Sequence, residues 1–275
     1  MRLNFPRRRV LAAAAAVAVA FSVSACGGGP QEAKTPGGYT VTLVNPDKLT
    51  VCTNLPYVPF QFEEDGEVVG FDVDIVNLAA EELGLEQEII DIKFDSIESG
   101  AALTGNKCDL AAAGMTITPE REKNLTFSEP YFDEAIAFMT PKGEAVESIQ
   151  DVIDGELKLG VQASTTSLQF AQDNGLTPQE YEDSGKQLQA LQSGTVDVIL
   201  QDLPVIQEWL KKPEIAEKFE LGGTIETGSQ YGLGFKKDAD QVLVDVVNKA
   251  IKDAKAGDAY AEIYKKWFGT EPAAS

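Results

Sequence analysis

From residue 49 onward the chain alternates short β-prone runs with stretches in which apolar residues recur at every third or fourth position. Leu49-Thr50-Val51-Cys52-Thr53 is the first such run, and Ile75, Leu78, Ala79 and Leu83 then fall at helical spacing. Asp72 and Asp74 stand where acids favour a helix start, and Gly84 stands where glycine ends one. A strand over 88–93, a helix around 97–103 and a strand over 108–114 complete a first set of elements. A β-prone stretch at 135–139 leads away from it. The second set has a strand over 158–161, a helix opened by the hydroxyl cluster Ser164 to Ser167, a helix over 186–192 and a strand over 196–200. Residues 231–235 are again β-prone, and helical patterns over 242–254 and 260–268 finish the chain. Strands alternating with helices at this spacing predict βαβ units, parallel sheets and an α/β fold with helices on both faces. In both sets a Gly-containing loop ending in Asp, 105–109 and 194–197, carries a helix into a strand. Ligands of open α/β sheets bind beyond the carboxyl ends of the strands. Two such sheets facing each other make a cleft.

The N-terminus follows another rule. A basic head (Arg2, Arg7, Arg8, Arg9) precedes an apolar run from Val10 to Val23, too short for an ordinary membrane anchor and flanked as in a signal peptide, predicted over 1–25. The ending Val23-Ser24-Ala25-Cys26 resembles a bacterial lipobox, which implies cleavage before Cys26 and a diacylglyceryl group on its sulfur. Arg7-Arg8-Arg9-Val10-Leu11 also resembles a twin-arginine signal, so two export routes stay open. Residues 26–47 begin with Gly, Pro and polar residues and are predicted to be a flexible tether, with a short edge strand over 40–44.

Composition then removes whole classes of function. The 275 residues carry 23 Lys and Arg against 44 Asp and Glu, and no basic stretch follows residue 9 that would neutralise a run of phosphates, so no nucleic-acid partner is expected. With no histidine, Ser-His-Asp, Cys-His and imidazole-ligated metal sites are excluded. Loss of the signal peptide takes four arginines and no acid, moving the formal charge from −21 to −25. Outside the cytoplasm Cys52 and Cys108 form an even pair, and a disulfide between them is expected; two buried thiols are the alternative.

Several polar residues follow the predicted strands. Arg121 comes just past Thr116-Ile117-Thr118-Pro119-Glu120, where a planar guanidinium suits a carboxylate; taken alone, a surface arginine is the ordinary alternative. Asp202, after the corresponding strand of the second set, suits an ammonium group or serves as an N-cap. Together they suit the two ends of a zwitterion. Ser164 to Ser167 offers helix N-terminal amides and hydroxyls to an anion, or forms a cap cluster that holds no ligand. Tyr57 and Phe94 are candidates for stacking on a ligand, whereas Phe60 and Phe71 are read as core. No catalytic group or metal cluster stands out, so neither enzyme activity nor a cofactor is expected.

These residues resemble those of the family 3 extracellular solute-binding proteins, the polar amino acid receptors of bacterial ABC importers. The resemblance rests on Pro59-Phe60, Gly70-Phe71-Asp72-Val73-Asp74-Ile75, Asp109, Thr116 to Arg121, and Phe127-Ser128-Glu129-Pro130-Tyr131. It continues through Gly160-Val161, Thr165-Thr166, Asp197, Gln201-Asp202 and Lys266-Trp267, and spans residues 49–269. It implies a two-lobed periplasmic-binding-protein-like fold of type II with two hinge strands: lobe 1 over 48–137, lobe 2 over 138–228, a return to lobe 1 over 229–269, and a tail over 270–275. It further implies that Arg121, the Thr116 hydroxyl and amide and the Thr166 amide hold an α-carboxylate, and that Asp202 and the Gly114 carbonyl hold an α-ammonium. Tyr57 and Phe94 match stacking aromatics, and Asn54, Gln162 and Gln201 match positions near the ligand side chain. The last three carry no formal charge, so a polar, net-neutral amino acid is expected, glutamine first. The implied protein is a monomeric, lipid-anchored receptor on the extracytoplasmic face of the cell membrane, delivering its ligand to a permease. Cyclic amino acid dehydratases and kinase-linked sensors share the fold and are the rival readings; the chain ends at Ser275 without a second module, which argues against the sensor.

Overall fold

The computed structural model describes residues 29–272. The predicted signal peptide, the lipidation site Cys26 and the last residues of the tail, 273–275, lie outside the described residues. Among the described residues no helix is long and apolar enough to cross a membrane.

The described chain opens with a hairpin, β1 (Gln31–Lys34) and β2 (Thr40–Leu43), paired antiparallel. Here the expected flexible tether is corrected: from Gln31 the chain is fixed to the body. Val41 and Leu43 are fully buried, the Thr42 N–H donates to Asp240 at 2.7 Å, and the Val44 N–H donates to Asp109 at 2.7 Å. Two buried aliphatic side chains outweigh the Gly, Pro and Lys around them, because strand formation depends more on packing than on local preference.

Lobe 1 then contains β3 (Lys48–Thr53), the small hairpin β4 (Phe62–Glu64) and β5 (Glu67–Val69), α1 (Phe71–Leu83), β6 (Glu86–Asp91), α2 (Phe94–Glu98), α3 (Ala101–Thr104), β7 (Leu110–Ala111), a 3₁₀ turn at Arg121–Lys123 and β8 (Leu125–Phe127). The single helix expected around 97–103 is broken at Ser99-Gly100 into α2 and α3. The long strand β9 (Phe132–Pro141) carries the chain into lobe 2, which adds α4 (Ile149–Asp154), β10 (Leu159–Gln162), α5 (Thr166–Asp173), β11 (Gln179–Tyr181), α6 (Ser184–Gln192), β12 (Val198–Asp202), α7 (Leu203–Leu210) and α8 (Pro213–Ala216). A second long strand, β13 (Phe219–Tyr231), returns to lobe 1, where β14 (Gly234–Lys236), α9 (Gln241–Ala256) and α10 (Ala259–Phe268) complete it.

Each lobe is built on a five-stranded sheet, in the order β6-β3-β7-β14-β8 for the first and β11-β10-β12-β9-β13 for the second. The sheets are mixed, not parallel throughout. β6, β3 and β7 run parallel, as do β11, β10 and β12, but β14 and β9 run antiparallel to the strands they join. The reason is connectivity: β9 leaves directly from lobe 1 and β14 arrives directly from lobe 2, and neither passes through the helical crossover that makes neighbouring strands parallel. β9 and β13 pair with each other from Phe132–Tyr231 to Pro141–Phe219 and form the two-stranded link between the lobes.

Two features hold lobe 1 rigid. A disulfide joins Cys52 of β3 to Cys108 in the loop before β7, with the Cα atoms 5.6 Å apart, within the usual range for such bridges. An aromatic cluster sits where β9 and β13 meet lobe 1. The Phe60 and Phe132 rings lie edge to face at 5.1 Å, Phe132 stacks on Tyr231 at 5.3 Å, and Phe71 meets Phe268 of α10 at 5.0 Å. Each such pair contributes about 0.5–1.5 kcal/mol beyond its burial, so the C-terminal helix is locked onto the root of the link.

Candidate functional site

The carboxyl ends of β3 and β7 in lobe 1 face those of β10 and β12 in lobe 2 across a narrow cleft. Asn54, Tyr57, Phe94, Gly114, Thr116, Arg121, Gln162, Thr166 and Asp202 all line it, and Gln61, Ala113 and Thr165 join them. Of the ten ligand residues read from the sequence, only Gln201 is absent from this lining. The cavity between these groups measures about 20 Å³, room for about one water molecule. An amino acid therefore enters only as the lobes separate.

Arg121 is buried in the 3₁₀ turn that follows β7. Its Nη1 donates to the Thr116 carbonyl at 2.9 Å, and its Nη2 crosses the cleft to the Ser164 carbonyl at 3.0 Å. Its Nε lies 3.8 Å from Glu98, and its guanidinium carbon sits 5.5 Å from the Phe94 ring centre, a cation–π contact. Burial lowers the guanidinium pKa, while the Glu98, Glu134 and Asp202 charges oppose that shift. Ser164 has φ 64°, an uncommon conformation for a residue with a side chain, and its carbonyl is the group that Arg121 reaches. Thr165 caps α5, accepting from the Leu168 N–H at 3.3 Å, which sets Thr166 at the first helical position.

Asp202 ends β12 and is buried. Its carboxylate accepts from the Tyr57 hydroxyl at 2.5 Å and from the Tyr231 hydroxyl. Burial, and after it the Glu134 charge, push its carboxyl up to about 7 against the pull of the two tyrosines and Arg121. Gly114 adopts φ 55°, and a side chain there would bring its Cβ to 2.7 Å from the Tyr57 ring. Only glycine fits. The Gly114 N–H donates to Asp72 at 2.7 Å.

The amides at the other end are interlocked. The Asn54 Nδ2 donates to the Ile92 carbonyl at 3.1 Å, which turns its Oδ1 toward the Gln162 Nε2 at 3.1 Å. The Gln61 Nε2 donates to the Asn54 carbonyl at 3.3 Å. Gln201 spends both ends of its amide inside the protein: Nε2 donates to Gln187 at 2.8 Å, and Oε1 accepts from the Tyr57 hydroxyl at 3.0 Å and the Asp202 N–H at 2.8 Å. It positions Tyr57 and Asp202 behind the cleft wall.

Two acids beside the site were not read from the sequence, Glu98 against Arg121 and the buried Glu134. Glu134, on the linking strand β9, is buried, and its Oε1 accepts from the Thr116 hydroxyl of lobe 1 at 2.5 Å and from the Thr166 hydroxyl of lobe 2 at 2.8 Å. The signal was in the phase of the strand: Phe132, Glu134 and Ile136 share its buried face while Asp133 is exposed, so an acid stands at a core position.

The family described as Bacterial extracellular solute-binding proteins, family 3, matches residues 49–270. The arginine-binding periplasmic protein of Mannheimia haemolytica is 32% identical over 220 residues, 78% of this chain and 88% of that protein. An ancestral arginine-binding protein solved with glutamine bound is 34% identical, with a TM-score of 0.75 over 82% of this chain and 99% of that one. An ancestral arginine-binding protein solved with arginine bound gives a TM-score of 0.74 at 34% identity over 81% of this chain and 99% of that one.

Proposed function

The chain belongs to the bacterial extracellular solute-binding proteins, family 3, and from that membership, together with the lipobox-like ending at Cys26, we propose that it is a lipid-anchored receptor that captures a polar amino acid between two closing lobes and hands it to an ABC-type permease. The carrying observation is that Arg121 of lobe 1 and Asp202 of lobe 2, both buried, line one cavity from opposite sides. A guanidinium and a carboxylate so arranged match the α-carboxylate and α-ammonium of an amino acid. Thr116 and Thr166, one on each lobe, add hydroxyls at the same place.

A ligand that touches both walls favours the closed form by the difference in its affinity for the closed and open forms. β9 and β13 are the natural hinge, since they alone among the described elements run from one lobe into the other. Closure is supported by groups that already meet across the cleft. Tyr57 reaches Asp202, Asn54 reaches Gln162, and the Ser184 hydroxyl donates to the Pro56 carbonyl at 2.6 Å. The lipid on Cys26 would keep this receptor at the membrane. Nothing in the reading requires chemistry on the ligand, and the protein is proposed to bind rather than to catalyse.

The test is a thermal-shift screen of ligand-stripped protein against the common amino acids. A ligand at 100 times its Kd adds about 2.7 kcal/mol of stability, so at least one polar amino acid, glutamine among those tried first, should raise the melting temperature. No response to any amino acid would overturn the receptor reading.

A further inference from the structure

Three acceptors in or just behind the cleft wall have no donor among the described residues. The Gln61 Oε1, Gln162 Oε1 and Glu134 Oε2 atoms are buried without a hydrogen-bond partner, while the residues that bear them are each nearly inaccessible to solvent. Their identities as oxygens follow from the network. A backbone carbonyl only accepts, so the Gln61 nitrogen must face the Asn54 carbonyl and the Asn54 nitrogen must face the Ile92 carbonyl. The Asn54 oxygen then turns to Gln162 and claims its nitrogen. In both glutamines the oxygen is the end left over. Each amide nitrogen on which a neutral ligand was expected, Asn54, Gln162 and Gln201, spends one of its two N–H groups within the protein, whereas the Gln162 oxygen is wholly unspent.

Formal charge points the same way. Burial pushes the Asp202 carboxyl up to about 7, but a ligand ammonium beside it favours its charged form, so that Arg121 then brings one positive charge to the cleft against two negative ones from Glu134 and Asp202. A net-neutral zwitterion leaves that excess standing in a buried site, where an unpaired charge is costly. A ligand with one additional positive charge cancels it. A guanidinium or ammonium side chain also carries donors and no acceptor, the complement of the two orphan glutamine oxygens.

Resting on the receptor reading above, we infer that the cleft selects an amino acid of net positive charge, and that Glu134, through its charge, together with the Gln61 and Gln162 oxygens, is what distinguishes that ligand from a neutral one of the same shape. This replaces the expectation of a net-neutral ligand. Glu134 stands beside the Thr116 and Thr166 hydroxyls, at the seat of the ligand's α-groups, so its discrimination is by total charge. The two glutamine oxygens discriminate by hydrogen-bond type.

Arginine and citrulline separate these terms, because they differ chiefly in replacing a charged guanidinium by a neutral urea group. Calorimetry on the whole chain, stripped of bound ligand, should find arginine at least tenfold tighter than citrulline. In Glu134→Gln the ratio should narrow several-fold, and in Gln162→Leu the arginine affinity should fall. A cooperative melting transition checks that each variant is folded; the wild-type ratio needs no variant at all. Citrulline or glutamine binding as tightly as arginine would overturn the inference while leaving the receptor reading intact, as would a ratio that Glu134→Gln leaves unchanged. Failure of every amino acid to bind would remove both.

Discussion

Asp72 in lobe 1 and Asp202 in lobe 2 are both buried, and burial pushes both carboxyls up to about 7. Their partners differ. Asp72 accepts from the Gly114 N–H at 2.7 Å and from the hydroxyl of Tyr131, just ahead of β9, at 2.8 Å, so everything it holds belongs to lobe 1 or its junction with the link. Asp202 is held by Tyr57 from the opposite lobe and by Tyr231 at the lobe 1 end of β13. A displaced pKa therefore marks burial in both cases. What separates a residue that braces one lobe from one that senses the other is where its donors come from.

The sharpest way to break this comparison is at the ligand. Truncating one partner of a buried charged pair costs about 2–5 kcal/mol. Arg121→Ala and Asp202→Asn should each weaken binding by that much in calorimetry, and Asp72→Asn should weaken it far less. Equal losses at Asp72 and Asp202 would erase the distinction.

The next effect concerns the frame that holds Asp72. The Cys52–Cys108 bridge spans 56 residues, and in the chain-entropy view such a bridge contributes about 4 kcal/mol. Replacing both cysteines by serine should lower the denaturation free energy by that order. Free thiols in unreduced wild-type protein, detected by alkylation and mass spectrometry, would remove the premise.

A smaller effect follows from protonation. An aspartate raised to about 7 in the folded protein keeps its proton there, whereas the unfolded chain releases it near 4. Between those values the folded form holds more protons, so the share of stability linked to Asp72 falls as pH rises from about 4 to about 7, then levels off. Asp72→Asn lacks that loss. Relative to wild type it should gain about 2–4 kcal/mol across the window, read from urea unfolding at pH 4, 5.5 and 7. A constant difference at all three would show that Asp72 is not protonated in the folded state.

The smallest effect belongs to a single hydroxyl. Tyr57→Phe removes the donor that ties lobe 1 to Asp202 and Gln201, and a hydrogen bond of this kind contributes about 0.5–1.5 kcal/mol. Ligand affinity should drop by up to about tenfold; an unchanged Kd would mean that the tie plays no part in closure.

The cleft was readable in the sequence where polar residues directly follow buried strands. Thr116 and Arg121 after β7, and Asp202 at the end of β12, belong to that pattern, and each lines the cavity. Glu134 was hidden because it lies inside a linking strand otherwise rich in apolar residues, where its contact with the Thr116 and Thr166 hydroxyls depends on two lobes meeting. Gln201 stands apart for the opposite reason. It lies near the end of β12 and looks available, yet Gln187, buried on α6, takes its amide nitrogen, and it is absent from the cavity lining. The mixed direction of the sheets lay beyond local patterning too, since it is set by how β9 and β14 connect the lobes.

The hairpin β1–β2 changes how the receptor would be leashed. A lipid on Cys26, as proposed, would be separated from β1 by the five steps to Gln31, at most about 18 Å of fully stretched chain. A tether running to residue 47 would let the body turn freely and wander. With so short a leash, and with the hairpin welded to the α1 and α9 side of lobe 1 through Glu82 and Asp240, a receptor anchored in this way would search for its permease close to, and along, its own membrane surface. Capture of the ligand and search for the permease then become nearly independent problems, the first solved by the cleft and the second by confinement to two dimensions.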